Sequence, residues 1–186
     1  MVKPDIRSQL DEWSRKYFGG RRVSPQAHQH MQDSLMDEAK LDYDYVVLTL
    51  GACLIATLGL LSNSAAVIIG AMLVAPLMLP IRSVAFGILE GDLDLITTGL
   101  RALGTGTTIS IALSALIGVS SGFLEYGSEV LARSSPTLLD LGIAITAGGL
   151  SGYAKVQPKL SSALAGTAIA VALMPPLCVV GLGIAH

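Results

Sequence analysis

The chain has 186 residues, 52% hydrophobic and only 14% charged, with a formal net charge of −2. A soluble domain carries about a quarter charged residues, so an ordinary soluble fold is excluded. The near-neutral charge, with no basic stripe interleaved with aromatics, excludes nucleic-acid binding.

What charge there is sits at one end. Seven of the 12 Lys and Arg and eight of the 14 Asp and Glu precede residue 45. The sequence therefore divides into a polar head, residues 1–44, and a membrane body, residues 45–186. No apolar core of signal-peptide length opens the chain. Within the head, residues 5–18 predict a short amphipathic helix with Leu10, Trp13, Tyr17 and Phe18 on one face. Gly19 and Gly20 end it, and Ser24-Pro25 starts a polar helix to about residue 41. Trp13 and Tyr17 beside Arg15 and Lys16 suit a membrane surface; a solvated arm, or packing on a neighbouring subunit, suits the same residues.

The body predicts five transmembrane helices, at 45–61, 65–89, 96–121, 138–154 and 162–185. Spanning the hydrocarbon core takes roughly 20 residues. The second helix reaches that length only if Pro76 and Pro80 kink it without ending it. Ser62-Asn63-Ser64 forms a tight hairpin, with Ser62 or Asn63 as cap of the second helix. Placing the N-terminus in the cytoplasm puts eleven of the 12 basic residues on the inner side and leaves Arg133 outside. The expected location is thus the inner (plasma) membrane, multi-pass, with the lipid bilayer as the main partner. The expected fold class is an all-α polytopic membrane bundle.

Residues 62–77 and 162–177 resemble each other: each is a small-residue helix after a short turn, with a proline break, at Pro76 and at Pro176. Three helices followed by a copy of the first two describe an inverted three-helix repeat whose second copy is incomplete, an architecture common in secondary transporters. A proline frees a carbonyl one turn earlier, and that group needs a partner, protein or water inside a bilayer. The two breaks predict a shared cavity with a substrate or ion path along Asn63, Ser64, Ala75, Pro76, Pro80, Arg82, Asp140, Pro175 and Pro176. Plain kinks, a snorkelling Arg82, a cap at Asn63 and a helix-dipole role for Asp140 are the simpler readings of the same residues. In the third helix Gly106, Ser110, Ser114, Gly118 and Gly122 recur every four residues and predict close helix packing. Glu90, Asp92 and Asp94 form an acidic turn expected to face solvent. Cys53 and Cys178 read as small hydrophobes in packed helices.

Residues 59–81, GLLSNSAAVIIGAMLVAPLMLPI, resemble the pattern of a bacterial and archaeal family of uncharacterised hydrophobic membrane proteins, the domain-of-unknown-function family 389. Asn63, Ser64, Gly70, Ala71, Met72, Pro76, Leu77, Met78 and Pro80 match, whereas Ala65, Ala75 and Leu79 depart from it. Gly87 to Asp92, Pro136 to Gly142 and Ala168 to Leu177 carry further likeness. The resemblance implies at least one more hydrophobic helix in a typical member. It implies no chemistry.

No nucleotide-binding loop, nucleophile elbow or zinc-protease motif occurs, so no enzyme, cofactor or metal site is expected. His28 and His30 are two apart on a helix and point roughly 200° from each other, which disfavours joint ligation. The expected function is transport of a small solute or ion through a homo-oligomer. The competing expectation is a non-transporting scaffold or sensor whose head recruits a cytoplasmic partner.

Overall fold

A computed structural model describes residues 25–122, 127–135, 137–156 and 173–185. The expected helix at 5–18 and the repeat residues 162–172 lie outside them. The chain divides into two compact units, 1–34 and 35–186, so the boundary falls inside the first described helix.

The described residues form eight helices: α1 Pro25–Ala39, α2 Tyr43–Leu61, α3 Ala65–Val74, α4 Met78–Glu90, α5 Leu93–Ser121, α6 Ser128–Ser134, α7 Leu138–Val156 and α8 Met174–Ile184. The described residues contain no strand, and the protein is a helical membrane protein. Among the described residues, only α2 and α5 are long and apolar enough to cross a membrane by themselves. The 19 residues of α2 rise about 28 Å, close to the ~30 Å hydrocarbon thickness. α3 and α4 together make a third span, bent by 53°. α7 and α8 contribute shorter apolar stretches. α6 falls where the sequence predicted only loop.

Local chemistry sets the helix ends. Asp42 caps α2 by accepting from Tyr45 N at 2.7 Å. Proline pushes the residue before it out of the helical region, and Ala75 has ψ 122°. Pro76 also has no N–H for the Met72 carbonyl, so α3 stops at Val74. The expected single helix at 65–89 is thus two helices. Pro80 is not a kink: it stands in the first turn of α4, where its missing donor is not needed. Gly91, at φ 73°, ends α4 in the left-handed conformation. Asp92 caps α5, accepting from Asp94 N at 3.0 Å and Leu95 N at 3.1 Å. The middle carboxylate of the acidic turn therefore has a structural task, and the family-like stretch Gly87–Asp92 is a helix–helix corner.

The chain directions follow from the contacts. Tyr45 Oη donates to Ala102 O at 2.9 Å and Cys53 Sγ donates to Ser110 O at 3.2 Å. The offset of 57 residues is the same in both, so α2 and α5 run parallel. Met174 meets Ser110, Gly181 meets Ser114, and Ala185 meets Gly118, so α8 also runs parallel to α5. α3 returns beside α2 across the hairpin, with Ile68 against Gly59. Hence α3 and α8 run in opposite directions.

The small-residue face of α5 makes these approaches possible. Gly99, Ala102, Gly106, Ser110, Ser114 and Gly118 are all buried. A methyl group on Gly99 would lie 2.7 Å from Val84 Cγ2, and one on Gly118 would lie 2.8 Å from Ala185 Cβ. Gly122, the expected end of the series, has φ 61° and caps the helix. Large apolar side chains such as Leu48, Leu54, Leu58, Ile69, Leu73 and Leu116 are exposed on the outside, as lipid contact requires. α7 is exposed along Leu138 to Leu150 apart from Ala147.

Gly181 has Ile111 O at 2.6 Å from where a Cβ would stand, whereas Gly104 has open space. Gly181→Val should cost about 1–3 kcal/mol by overpacking, and Gly104→Ala should add about 0.4–1 kcal/mol. Thermal unfolding in lipid nanodiscs should show the two midpoints moving in opposite directions.

Candidate site at the helix discontinuities

Two helix ends meet on one turn of α5. Ala75, Pro76 and Leu77 separate α3 from α4, and all three are buried. Leu77 packs on Gly106: a methyl group there would come within 2.9 Å of Leu77 Cδ2. One turn along, Ser110 Oγ faces Met174 Sδ at 3.6 Å, at the start of α8. Ser110 Oγ also returns a hydrogen bond to Gly106 O at 2.8 Å. Gly106 and Ser110 stand about 6 Å apart along the axis, near the middle of a 29-residue helix.

The prolines on the two sides do not play matching parts. Pro76 lies between helices, whereas Pro175 and Pro176 stand in the first turn of α8, after Leu173. Pro175 is buried and Pro176 half-buried. Pro76 and Pro175 thus lie in the interior of the bundle.

Beyond the break, α4 carries Arg82, only 7% exposed, with Nη2 at 3.2 Å from Glu38 Oε2 on α1. Arg82 Nε and Nη1 are buried without a hydrogen-bond partner among the described residues. Next to it Ser83 Oγ donates to Leu35 O at 2.8 Å. The C-terminal end of α1 is thus fastened to α4 just past the break. The expected snorkelling of Arg82 does not occur, because Glu38 and the helix packing hold the guanidinium inside. Lys40, exposed one turn on, pairs with Asp37 at 2.6 Å, and that carboxylate raises its pKa.

The remaining expected site residues are elsewhere. Asn63 and Ser64 lie at the far end of α3, about 15 Å of helix from the break. Asn63 is left-handed, at φ 52°. It does not cap α3. Its Oδ1 accepts from Glu129 N at 3.0 Å and from Ser128 Oγ at 3.2 Å, so it caps α6 instead. Ser64 precedes α3 without a side-chain cap bond. Asp140 accepts from Thr137 N at 2.7 Å and Thr137 Oγ1 at 2.8 Å, a capping box at the start of α7. It is exposed, and its Oδ2 is engaged there. Arg133 pairs with Glu129 within α6.

Sequence reasoning did not single out Glu38, Tyr45, Thr49 or Met174 for this site. Thr49 is fully buried and its Oγ1 has no partner among the described residues. A signal was present: Thr49, Cys53 and Thr57 recur every four residues on α2, a polar and soft stripe inside an apolar span. Among the described residues, no group of three or more His, Cys, Asp and Glu could hold a metal ion.

Residues 72–186 match the family described as Domain of unknown function (DUF389). The chain belongs to this family. The DUF389 match takes in the break, α4, α5 and α8, that is, most of the site. A curated relative, "Uncharacterized protein MJ0678" of Methanocaldococcus jannaschii, is 27% identical over 146 residues, covering 78% of this chain and 45% of the relative. The chain thus spans about half the length of that protein. No solved structure matches.

Replacing Arg82 by Met takes the cation from the Glu38 carboxylate and should cost up to about 3 kcal/mol, the lower end for breaking a buried pair. Arg82→Met with Glu38→Met should recover most of it. A double-mutant cycle in thermal unfolding measures the difference. Asn63→Ala should cost about 0.5–2 kcal/mol through loss of the α6 cap, read as faster proteolysis between residues 122 and 137.

Proposed function

We propose that this DUF389 protein is part of a transporter for a small anionic solute or ion, and that the path crosses the bundle where α3 breaks and α8 begins. The observation that carries the reading is the junction itself: Leu77 and Met174 abut Gly106 and Ser110, neighbouring positions on one face of α5. Interrupted helices near the middle of a span leave peptide groups that need a polar partner, and membrane transporters use such groups to bind solutes. The opposite directions of α3 and α8 accord with an inverted repeat of helix triplets.

Anion selectivity is the part supplied by Arg82. It is a buried cation just past the break, with two nitrogens that Glu38 leaves unbonded. An intramembrane charge is costly and, where it persists, marks a pathway. Glu38 and the α1–α4 contact act as the inner closure in this reading. The N-terminus then faces the cytoplasm of a plasma-membrane protein. Lys40 and Arg101 lie at the end where α2 begins, and Arg133 lies at the Asn63 end, which accords with the positive-inside rule.

The test is flux into liposomes containing the purified protein, with chloride, phosphate and small carboxylates set against sodium and potassium. Anion uptake is expected to fall about tenfold or more in Arg82→Gln, equivalent to ~1.4 kcal/mol or more on the barrier. Pro76→Ala is expected to change the rate by rejoining α3 and α4. Absence of flux for every ion and solute overturns transport. Cation flux that ignores Arg82→Gln overturns the anionic assignment.

A further inference from the structure

Cys53 on α2 and Cys178 on α8 are 125 residues apart in sequence, yet their sulfurs lie 3.7 Å from each other. Both are free thiols and both are completely buried. The two helices approach closely there: Cys178 Sγ also reaches Cys53 O at 3.9 Å, and the small residues Ala52 and Ala56 are buried on α2 to either side. A disulfide needs sulfurs about 2.05 Å apart, so closing the pair takes about 1.7 Å of approach from 3.7 Å.

We propose that Cys53 and Cys178 form a redox-modification site, oxidised by hydrogen peroxide to a disulfide that ties the first long span to the last described helix. This does not rest on the transport reading. The chemistry balances as two thiols plus one peroxide giving one disulfide and two waters. One sulfur, giving up its proton, attacks a peroxide oxygen; the O–O bond breaks and the first water leaves. The resulting sulfenic acid is attacked by the second sulfur, the S–O bond breaks, and the second thiol's proton leaves with the hydroxyl as the second water. Two electrons pass from sulfur to oxygen.

Two observations and one chemical consideration favour this outcome over two inert core cysteines. The sulfurs face each other across an interhelical contact. Thr49 Oγ1, one turn before Cys53, is buried with no hydrogen-bond partner among the described residues, and so offers a polar foothold to a small neutral oxidant. The product is neutral, which matters in an interior where charge is expensive. A metal ion would need further ligands, and Cys53 and Cys178 belong to no group of three or more His, Cys, Asp and Glu among the described residues.

The bond would be made close to the α8 start, at Met174, and would fix that discontinuity against α2. The experiment treats the purified full chain, in lipid nanodiscs, with hydrogen peroxide, then denatures it, blocks free thiols with a maleimide and digests it. A linked pair of peptides carrying Cys53 and Cys178 is expected, with a raised thermal midpoint that returns to its starting value after dithiothreitol. Cys53→Ser and Cys178→Ser should each abolish the link and the shift. Two maleimide-labelled thiols, or sulfinic and sulfonic acids without a link, would overturn the proposal. Since the linked peptide is read in the unaltered protein, poor folding of a serine variant leaves the result decisive.

Discussion

The close approach of helix backbones along one face of α5 is the constraint on which the structure depends. Side chains there are hydrogen, methyl or hydroxymethyl at Gly99, Ala102, Gly106, Ser110, Ser114 and Gly118. In a bilayer, helices gain little from hiding apolar surface, because lipid is equally apolar. Association rests on close van der Waals contact and interhelical hydrogen bonds. Small residues supply the first, and the Tyr45–Ala102 and Cys53–Ser110 bonds supply the second. α2, α4 and α8 all use this face, so its middle is where their ends and breaks are brought together.

The break at Pro76 shows how one residue couples local and tertiary structure. Proline removes one donor and pushes Ala75 into extended conformation. The chain therefore turns by 53° in the bundle interior, and α4 leaves at a new angle. That angle brings Pro80 against Gly99 and presents Arg82 and Ser83 to the end of α1. A buried guanidinium is tolerated because Glu38 neutralises it, although one carboxylate does not satisfy every nitrogen. Polar groups in excess of their partners are costly in a packed interior. Both Arg82 and Thr49 are such groups among the described residues.

Reading the residues in order gave the spans well where composition and capping agree. The expected start of the first span at residue 45, the end of the second at 89 and the third at 96–121 each fall within three residues of the ends of α2, α4 and α5. The same rules misjudged Asn63, whose capping group serves a helix 65 residues later. They also missed α6, a short helix whose first turn is held from outside. The pairing of Cys53 with Cys178 and of Arg82 with Glu38 had no periodic signature, since each joins separate helices.

By itself the sequence determined that this is a helical membrane protein and that Pro76 interrupts a span. Those follow from hydrophobicity, proline's missing donor and capping chemistry, all of which act within a few residues. Only the tertiary structure decided that the α3 break and the α8 start share one turn of α5, that Arg82 is held inside by Glu38, and that two cysteines face each other. These depend on how closely and in what direction helices cross, which is set by packing between side chains far apart in the chain.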